Sequence, residues 1–397
     1  MNGPLKGVKI LDVSRVLAGP FCTMLLADLG AEVVKVEQPG RGDPARHLRP
    51  FVDEDSAYFI SVNRGKKGIT LDLSMEEGQS LFRNLLPSFD VLVENFVPGT
   101  MARFGLDYDS VKEANPHLIY ASISGFGQSG PYSRRPAVDI IVQAMGGILS
   151  LTGEPGQPPI RPGASLGDSV AGLFTALAIV SGLFQRAISN KGQYIDTSML
   201  DCQVTMMENA FARYFATDQV PGPLGSRHPA TAPFQAFHGS DGDFVVAMLT
   251  DDPLAWHRFC FAIERHDLAD DTRYQDNSGR VMHTEELSQA LQQTFRKNQV
   301  DYWLSVLLDI GVPCGPVNTI KDVFEDAQVK HRGMIASIPH RSRTSWMVAN
   351  SPFRFSDNVT GPTGSAPELG GSTQEVLQSF LNLSDEKIEN LRGNNVI

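Results

Sequence analysis

Strand-like and helix-like segments take turns from the N-terminus to about residue 125, and this alternation narrows the possible folds more than any other feature of the chain. Val8–Val13 reads as a buried strand. A Gly19-Pro20 loop leads to a short helix over Phe21–Leu29, stopped by Gly30. EVVKVE at Glu32–Glu37 is the next strand, followed by Ile69–Leu73, Asp90–Glu94 and Leu118–Ser122. Ser74 with Glu77 three residues on has the pattern of a capping box, so a helix is expected to open there. Strand–helix–strand at this spacing predicts βαβ units and a mostly parallel sheet, an α/β fold.

The texture then changes. Gly153 to Gly167 is rich in Pro and Gly and reads as loop, followed by a long helix over Ser169–Ile188. Its apolar positions Val170, Leu173, Phe174, Leu177, Val180, Leu183 and Phe184 keep the i, i+3, i+4 spacing of a packed face. Gln193–Ser198 is a strand, and Pro221, Gly222, Pro223 and Gly225 mark a linker. Beyond it, Phe234–Phe237 and Phe244–Leu249 read as strands joined across Ser240–Asp243, and helices dominate to Leu308. Residues 1–225 are therefore expected to form a large domain and 226–330 a smaller α+β one.

Several classes are disfavoured by composition. Net charge is 34 − 45 = −11, without the basic footprint of a nucleic-acid binder. The N-terminal MNGPLKGVKILDV lacks the pattern of a secretory signal. The apolar run Val170–Phe184 is shorter than a bilayer span of about 20 residues, so no membrane association is expected. Cys22, Cys202, Cys260 and Cys314 are scattered, as are the histidines, without C-x-x-C or H-E-x-x-H. No metal site is expected, and the cysteine pattern suits a reducing cytoplasm.

Two short motifs invite a functional reading. Gly125–Gly130 fits G-x-G-x-x-G after a strand, but Pro131-Tyr132 stands where a helix should already run, so a glycine-rich turn admitting a close approach is the plainer reading. Gly163–Gly167 fits G-x-S-x-G, but the prolines before Ser165 exclude the buried strand that a nucleophile elbow needs. Asp168, at the start of the long helix, has two readings. It can cap the helix, or serve as a nucleophilic carboxylate at a positive helix end with small residues around it. Arg41, Arg46, Arg49, Arg64, Lys66 and Lys67 read mostly as solvated surface, as do Arg134 and Arg135. Arg227-His228, after the linker, could face a cleft.

Ordered blocks carry a resemblance over almost the whole chain. They are PLKGVKILDVSRVLAGPFCTMLLADLGAEVVKVEQPGRGDPAR near the start, LDLSMEEG, VLVENFVPGTMARFGLDY, NPHLIYASISGFGQSGP, QAMGGILSLTG, SLGDSVAGLFTALAIVSGL, GSRHPATAPFQAFHGSDG and IGVPCGPV. Together they resemble the family III coenzyme A transferases, the family of formyl-CoA:oxalate and carnitine CoA-transferases and of α-methylacyl-CoA racemase. The resemblance implies a Rossmann-like large domain, with 331–397 returning to it, and an interlocked homodimer. It aligns Asp168 with the catalytic aspartate. It places Leu17, Ala18, Gln38, Leu71, Asp72, Leu73, Ser74, Asn95, Phe96, Arg103, Ala137 and Asp139 where the family contacts coenzyme A.

The sequence departs from two branches of that family. Val138 stands where the racemase branch carries a histidine, which disfavours α-proton exchange. Leu17 and Gln38 replace the Gln and Arg of the formyl-CoA branch, and a glycine run in the small domain is absent; Arg41 could replace the lost charge. The implied activity is transfer of CoA from an acyl-CoA to a short carboxylic acid through an aspartyl-CoA thioester on Asp168. Arg227 and His228 would favour a dicarboxylate such as oxalate, succinate or mesaconate. The alternatives are an acyl-CoA racemase or epimerase, or a non-catalytic acyl-CoA-binding protein. Oxyanion donors are expected from the helix N-terminus and the Gly125–Gly130 turn.

Overall fold

The computed structural model describes residues 3–397, which divide into two units. The first comprises residues up to Ile148, Arg161–Thr217 and Ala327–Ile397; the second comprises Leu149–Ile160 and Asp218–Asp326.

A six-stranded parallel sheet forms the first unit's centre. Its strands are β1 (Lys9–Asp12), β2 (Glu32–Glu37), β3 (Lys67–Thr70), β4 (Val91–Glu94), β5 (Ile119–Ser124) and β6 (Gln193–Ser198). They lie in the order β3-β2-β1-β4-β5-β6, paired for example as Leu11↔Val34, Leu11↔Leu92 and Val93↔Ala121. Ile10, Leu11, Val33, Val34, Val91, Leu92 and Val93 are almost fully buried, as continuous apolar strands covered on both faces must be. The order reverses at β1, which has β2 on one side and β4 on the other. In open α/β sheets a crevice opens at the carboxyl ends of the strands beside such a reversal.

The helices named here are α1 (Ala18–Asp28), α2 (Ala57–Asn63), α3 (Glu76–Leu85), α4 (Thr100–Arg103), α5 (Asp139–Met145), α6 (Leu166–Ser189), α7 (Met199–Met206) and α8 (Glu208–Thr217). Helix α1 begins at Ala18, earlier than expected, because Pro20 fits a helix's first turn, where its missing N–H leaves no bond unmade. The expected capping box at Ser74 does not form. Ser74 gives its N–H (2.9 Å) and hydroxyl (2.6 Å) to Asp72, and α3 starts at Glu76.

The long helix α6 corrects the sequence reading most. Its inward face is the small-residue one: Gly167, Ala171, Gly172, Thr175, Ala176, Ile179 and Gly182 are buried. A Cβ at Gly172 would lie 2.6 Å from the Ala18 carbonyl oxygen and 3.0 Å from the Phe21 ring, so α1 and α6 can meet at this distance only through glycine. Of the stripe expected to be packed, Val170, Phe174 and Leu183 do pack, partly buried, against the core, but the rest points outward. Leu173, Leu177, Val180, Phe184 and Ile188 are 36–74% exposed. At 24 residues α6 also has the length and composition of a membrane span, although one of its faces belongs to the core.

The C-terminal segment pairs with the first unit. Asp72 donates to Val396 (2.8 Å), Ser372 to Gly68 (2.8 Å) and Gly65 to Ser365 (2.9 Å). In the second unit, β7 (Phe234–His238), β8 (Asp243–Ala247) and β9 (Cys314–Pro316) make an antiparallel sheet in the order β9-β8-β7. It packs with helices around Trp256, Phe259, Phe295 and Trp303. Buried Arg280 satisfies that core by donating to the carbonyls of Ala232 (2.8 Å), Tyr274 (3.0 Å) and Thr250 (2.6 Å).

Candidate active site

A cavity of about 540 Å³ lies within the first unit at the carboxyl ends of the strands. Its wall takes Arg15–Ala18 from beyond β1, Asn95–Pro98 from beyond β4, Ile123–Gly125 from the end of β5 and Met199 from α7. Tyr58, Ser133, Arg135–Ile140, Arg161, Ser165 and Asp168 complete it.

Buried charge fixes the loop after β1. Asp12 and Lys66 are both fully buried and 3.0 Å apart, and Lys35 lies 2.9 Å from Asp43, also fully buried. Burial works against the Asp12 carboxylate, but Lys66, Lys35 and the hydroxyls of Ser14 and Thr23 prevail and hold its pKa at about 2. Burial lowers the Lys66 pKa to about 8 despite Asp12. Lys66 also donates to Pro20 O (3.0 Å) and Asn63 Oδ1 (2.9 Å), so the surface reading of Lys66 is corrected. Arg64, paired with Asp28 at 2.6 Å, and Arg46, paired with Glu37 at 2.7 Å, are likewise engaged.

From this base Lys35 donates to the Ser14 carbonyl (2.8 Å), and the Val16 N–H donates to Asp43 (3.0 Å). Val16 is held at φ 65°, a conformation a β-branched residue adopts only under constraint. Asn95 clamps the next loop to this one, accepting from Arg15 N–H (2.7 Å) and donating to Arg15 O (2.8 Å). The Arg15 guanidinium lies 4.6 Å over the Phe96 ring.

Asp168 does not cap its helix. Ser165 occupies the N-cap position, and the capping oxygen comes from Asp139, whose Oδ1 accepts from the N–H of Gly167 (2.8 Å) and of Asp168 (3.4 Å). A Cβ at Gly167 would stand 3.0 Å from both Asp139 O and Oδ1, so glycine there lets the two helix starts meet. The other Asp139 oxygen takes Arg161 (2.9 and 3.2 Å) and Gln143 (2.8 Å), and Arg161 also donates to Ser165 Oγ (3.0 Å).

Asp168 is thereby left as a carboxylate with no hydrogen-bond donor among the described residues. Burial, reinforced by the Asp139 charge and opposed by Arg161, raises its pKa to about 6. Burial and the fields of Asp168, Asp139 and Asp43 raise the Tyr58 phenol to about 12, so it remains an O–H donor on the same wall.

This geometry narrows the expected oxyanion donors. Asp139 consumes two N–H groups at the start of α6. In the glycine turn, Gly127 N–H donates to Ser124 Oγ (2.9 Å) and Gln128 N–H to Asp196 (3.0 Å). Side-chain donors on the cavity wall include Tyr58, Ser165 and the arginines Arg15, Arg135 and Arg161.

Of the residues singled out in the sequence, Leu17, Ala18, Asn95, Phe96, Ala137, Asp139 and Asp168 converge on this cavity. Gln38, Leu71, Asp72, Leu73 and Ser74 follow the neighbouring strands β2 and β3, with Leu71 itself buried in the core. Arg103 ends α4, exposed, with Nη2 3.4 Å from Thr100 Oγ1. Arg227 and His228 belong to the second unit. Arg227 donates to Leu224 O (3.2 Å) and lies 3.8 Å from Glu285; His228 packs 5.0 Å from the Phe234 ring and accepts from Ala230 N–H (3.2 Å). Tyr58 and Arg161 were not singled out. Only the position of Arg161, ahead of Asp168 in the proline-rich loop, could have drawn attention to it.

Comparison with known proteins bears on what this cavity does. Residues 5–373 match the family model described as CoA-transferase family III. The chain is 39% identical over 395 residues to succinyl-CoA:glutarate CoA-transferase of Mus musculus, covering 99% of this chain and 90% of the mouse protein. It is 40% identical over 335 residues to acetyl-CoA:oxalate CoA-transferase of Acetobacter aceti, covering 84% and 86%. A crystal structure of a CAIB/BAIF family protein from Brucella suis superposes with a TM-score of 0.86 at 39% identity, covering 96% of this chain and all of that one.

Proposed function

The chain belongs to CoA-transferase family III, and we propose that it moves CoA from an acyl-CoA to a short dicarboxylic acid through a thioester on Asp168. The carrying observation is the Asp168 carboxylate itself, released from capping by Asp139 and desolvated on the cavity wall. The dicarboxylate preference rests on the relatives, whose names specify glutarate and oxalate.

The Asp168 carboxylate attacks the donor thioester carbonyl and expels CoA thiolate, leaving an acyl-aspartyl anhydride. The thiolate then attacks the aspartyl carbonyl, giving aspartyl-CoA thioester and the free donor acid. The acceptor carboxylate attacks that thioester, expels thiolate and forms a second anhydride. Thiolate attack on the acceptor's carbonyl releases the new acyl-CoA and regenerates Asp168. Each oxyanion needs a donor in place beforehand, and Tyr58 and Ser165 supply them. Leu17, Ala18, Asn95, Phe96 and Ala137 would line the thiol end of CoA. Gln38, Leu71–Ser74 and Arg103 would hold its nucleotide end. Val138, on the cavity wall, has no group to move a proton, which favours transfer over racemisation.

The attacking form is the anion, so turnover falls as pH drops through about 6. Asp139→Asn keeps an oxygen for capping but removes the neighbouring charge and frees Arg161. Its acid limb is expected roughly one pH unit lower, as read in kcat/KM against pH. An unmoved limb contradicts the assignment of that limb to Asp168. The function itself is tested by crossing acyl-CoA donors with carboxylic acids and reading products by mass spectrometry. New acyl-CoA from short dicarboxylates is expected, and none from any acid contradicts transfer.

We further infer a homodimer that covers the outward stripe of α6 and the exposed Tyr214 and Phe215 of α8, since apolar patches of this kind mark interfaces. Light scattering should read twice the chain mass, and a monomer at micromolar concentration contradicts this.

A further inference from the structure

The charges around the cavity do not balance. Three arginines, Arg15, Arg135 and Arg161, and two carboxylate residues, Asp139 and Asp168, line its wall. Arg161 is spent on Asp139 and Ser165. Arg15 is stacked on Phe96 and lies in the field of Asp43. Arg135 makes no ion pair among the described residues. Its guanidinium lies 5.4 Å from the Tyr132 ring and 5.9 Å from the Phe126 ring, two rings set edge to face at 5.8 Å. Such contacts orient a guanidinium and leave its N–H groups free.

The imbalance grows during turnover. When the acceptor enters, Asp168 is tied up as a neutral thioester, so the wall then carries three cations and one anion. A monocarboxylate brings one negative charge, which it uses in its attack. A dicarboxylate brings a second that takes no part in the chemistry, and a guanidinium receives a carboxylate through paired N–H···O bonds.

We propose that Arg135 binds the remote carboxylate of a short dicarboxylic acceptor and so sets the selectivity of the cavity for diacids over monoacids. The assignment rests on the transfer reading above and adds to it the residue that recognises the acid. It moves this role from Arg227 and His228, whose polar groups have partners within their own unit, to the cavity that holds Asp168. Arg135 and Asp168 line the same cavity, about 540 Å³ in volume. A diacid of four or five carbons is well within that volume.

The test compares kcat/KM for succinate and glutarate with that for butyrate and valerate, in the native protein, Arg135→Leu, Arg135→Lys and Arg227→Leu. The native protein is expected to prefer the diacids. In Arg135→Leu their kcat/KM falls roughly 100-fold, as for loss of a charge-assisted pair, while the monoacids keep theirs. Lys recovers part of the loss, and Arg227→Leu keeps the native ratio. Equal losses for both classes, an unchanged ratio in Arg135→Leu, or a collapse of the ratio in Arg227→Leu each overturns the proposal. Should Arg135→Leu fail to fold, the lysine variant decides, because its ratio must also fall below native. Failure of the transfer reading is distinguishable: the native protein then passes CoA to neither class, and Asp168 carries no adduct.

Discussion

Asp168→Asn loses turnover by a factor of roughly 10⁴–10⁶, the usual scale for removing a covalent nucleophile, and at neutral pH it is more stable than the native protein. The second half separates a nucleophile from a cap. A capping Asp contributes stability and its loss costs about 1 kcal/mol. Asp168 accepts no hydrogen bond from the described residues, and its pKa is raised from 3.8 to about 6 by burial and by Asp139. A carboxyl whose folded pKa exceeds its unfolded one destabilises the fold when ionised. The cost is absent below about pH 4, grows between about 4 and 6, and is fully present above 6. The amide removes it, so the melting point of Asp168→Asn should exceed the native one at pH 8 and match it near pH 4. A variant less stable than native at pH 8 contradicts the unpartnered carboxylate described here.

Asp12→Ala carries the largest expected loss of stability. It leaves the Lys66 ammonium buried without its carboxylate and removes the acceptor of Ser14 and Thr23. Breaking a buried pair from one side costs about 3–5 kcal/mol, because the remaining charge cannot return to water. Lys66, already lowered to about 8 by burial, would lose its proton near neutral pH. The loop carrying Arg15 to Ala18 stands on this pair, so CoA affinity should fall with stability. Replacing both partners together by apolar residues, Asp12→Leu with Lys66→Met, should recover much of the melting point and little of the affinity. A single variant melting within about 1 °C of native contradicts a structural role for the pair.

Continuous signals were the legible part of the chain. Glu32–Glu37 and Gln193–Ser198 fall where the sequence places them, each set off at its start by a glycine, Gly30 and Gly192. The convergence of Leu17, Asn95, Ala137 and Asp168 on one cavity was legible through the resemblance. Signals that depend on distant partners were not. Ser74 has a capping pattern, but Asp72 competes for its hydroxyl. Asp168 sits where a cap belongs, but the cap comes from Asp139, in another helix. The apolar period of α6 shows that one face avoids water without showing what covers it, and close packing against α1 gave the inward face to glycine and alanine. Lys66 looks like any loop-flanking lysine until Asp12 is placed beside it.

The most direct measurement of the central claim is peptide mapping during turnover. The protein is incubated with a competent acyl-CoA donor, quenched in acid, digested and read by mass spectrometry, with and without hydroxylamine. A CoA-mass adduct is predicted on the peptide carrying Asp168, converted to a hydroxamate by hydroxylamine and absent in Asp168→Asn. Steady turnover with that peptide unmodified, or with the adduct on Ser165 instead, contradicts it.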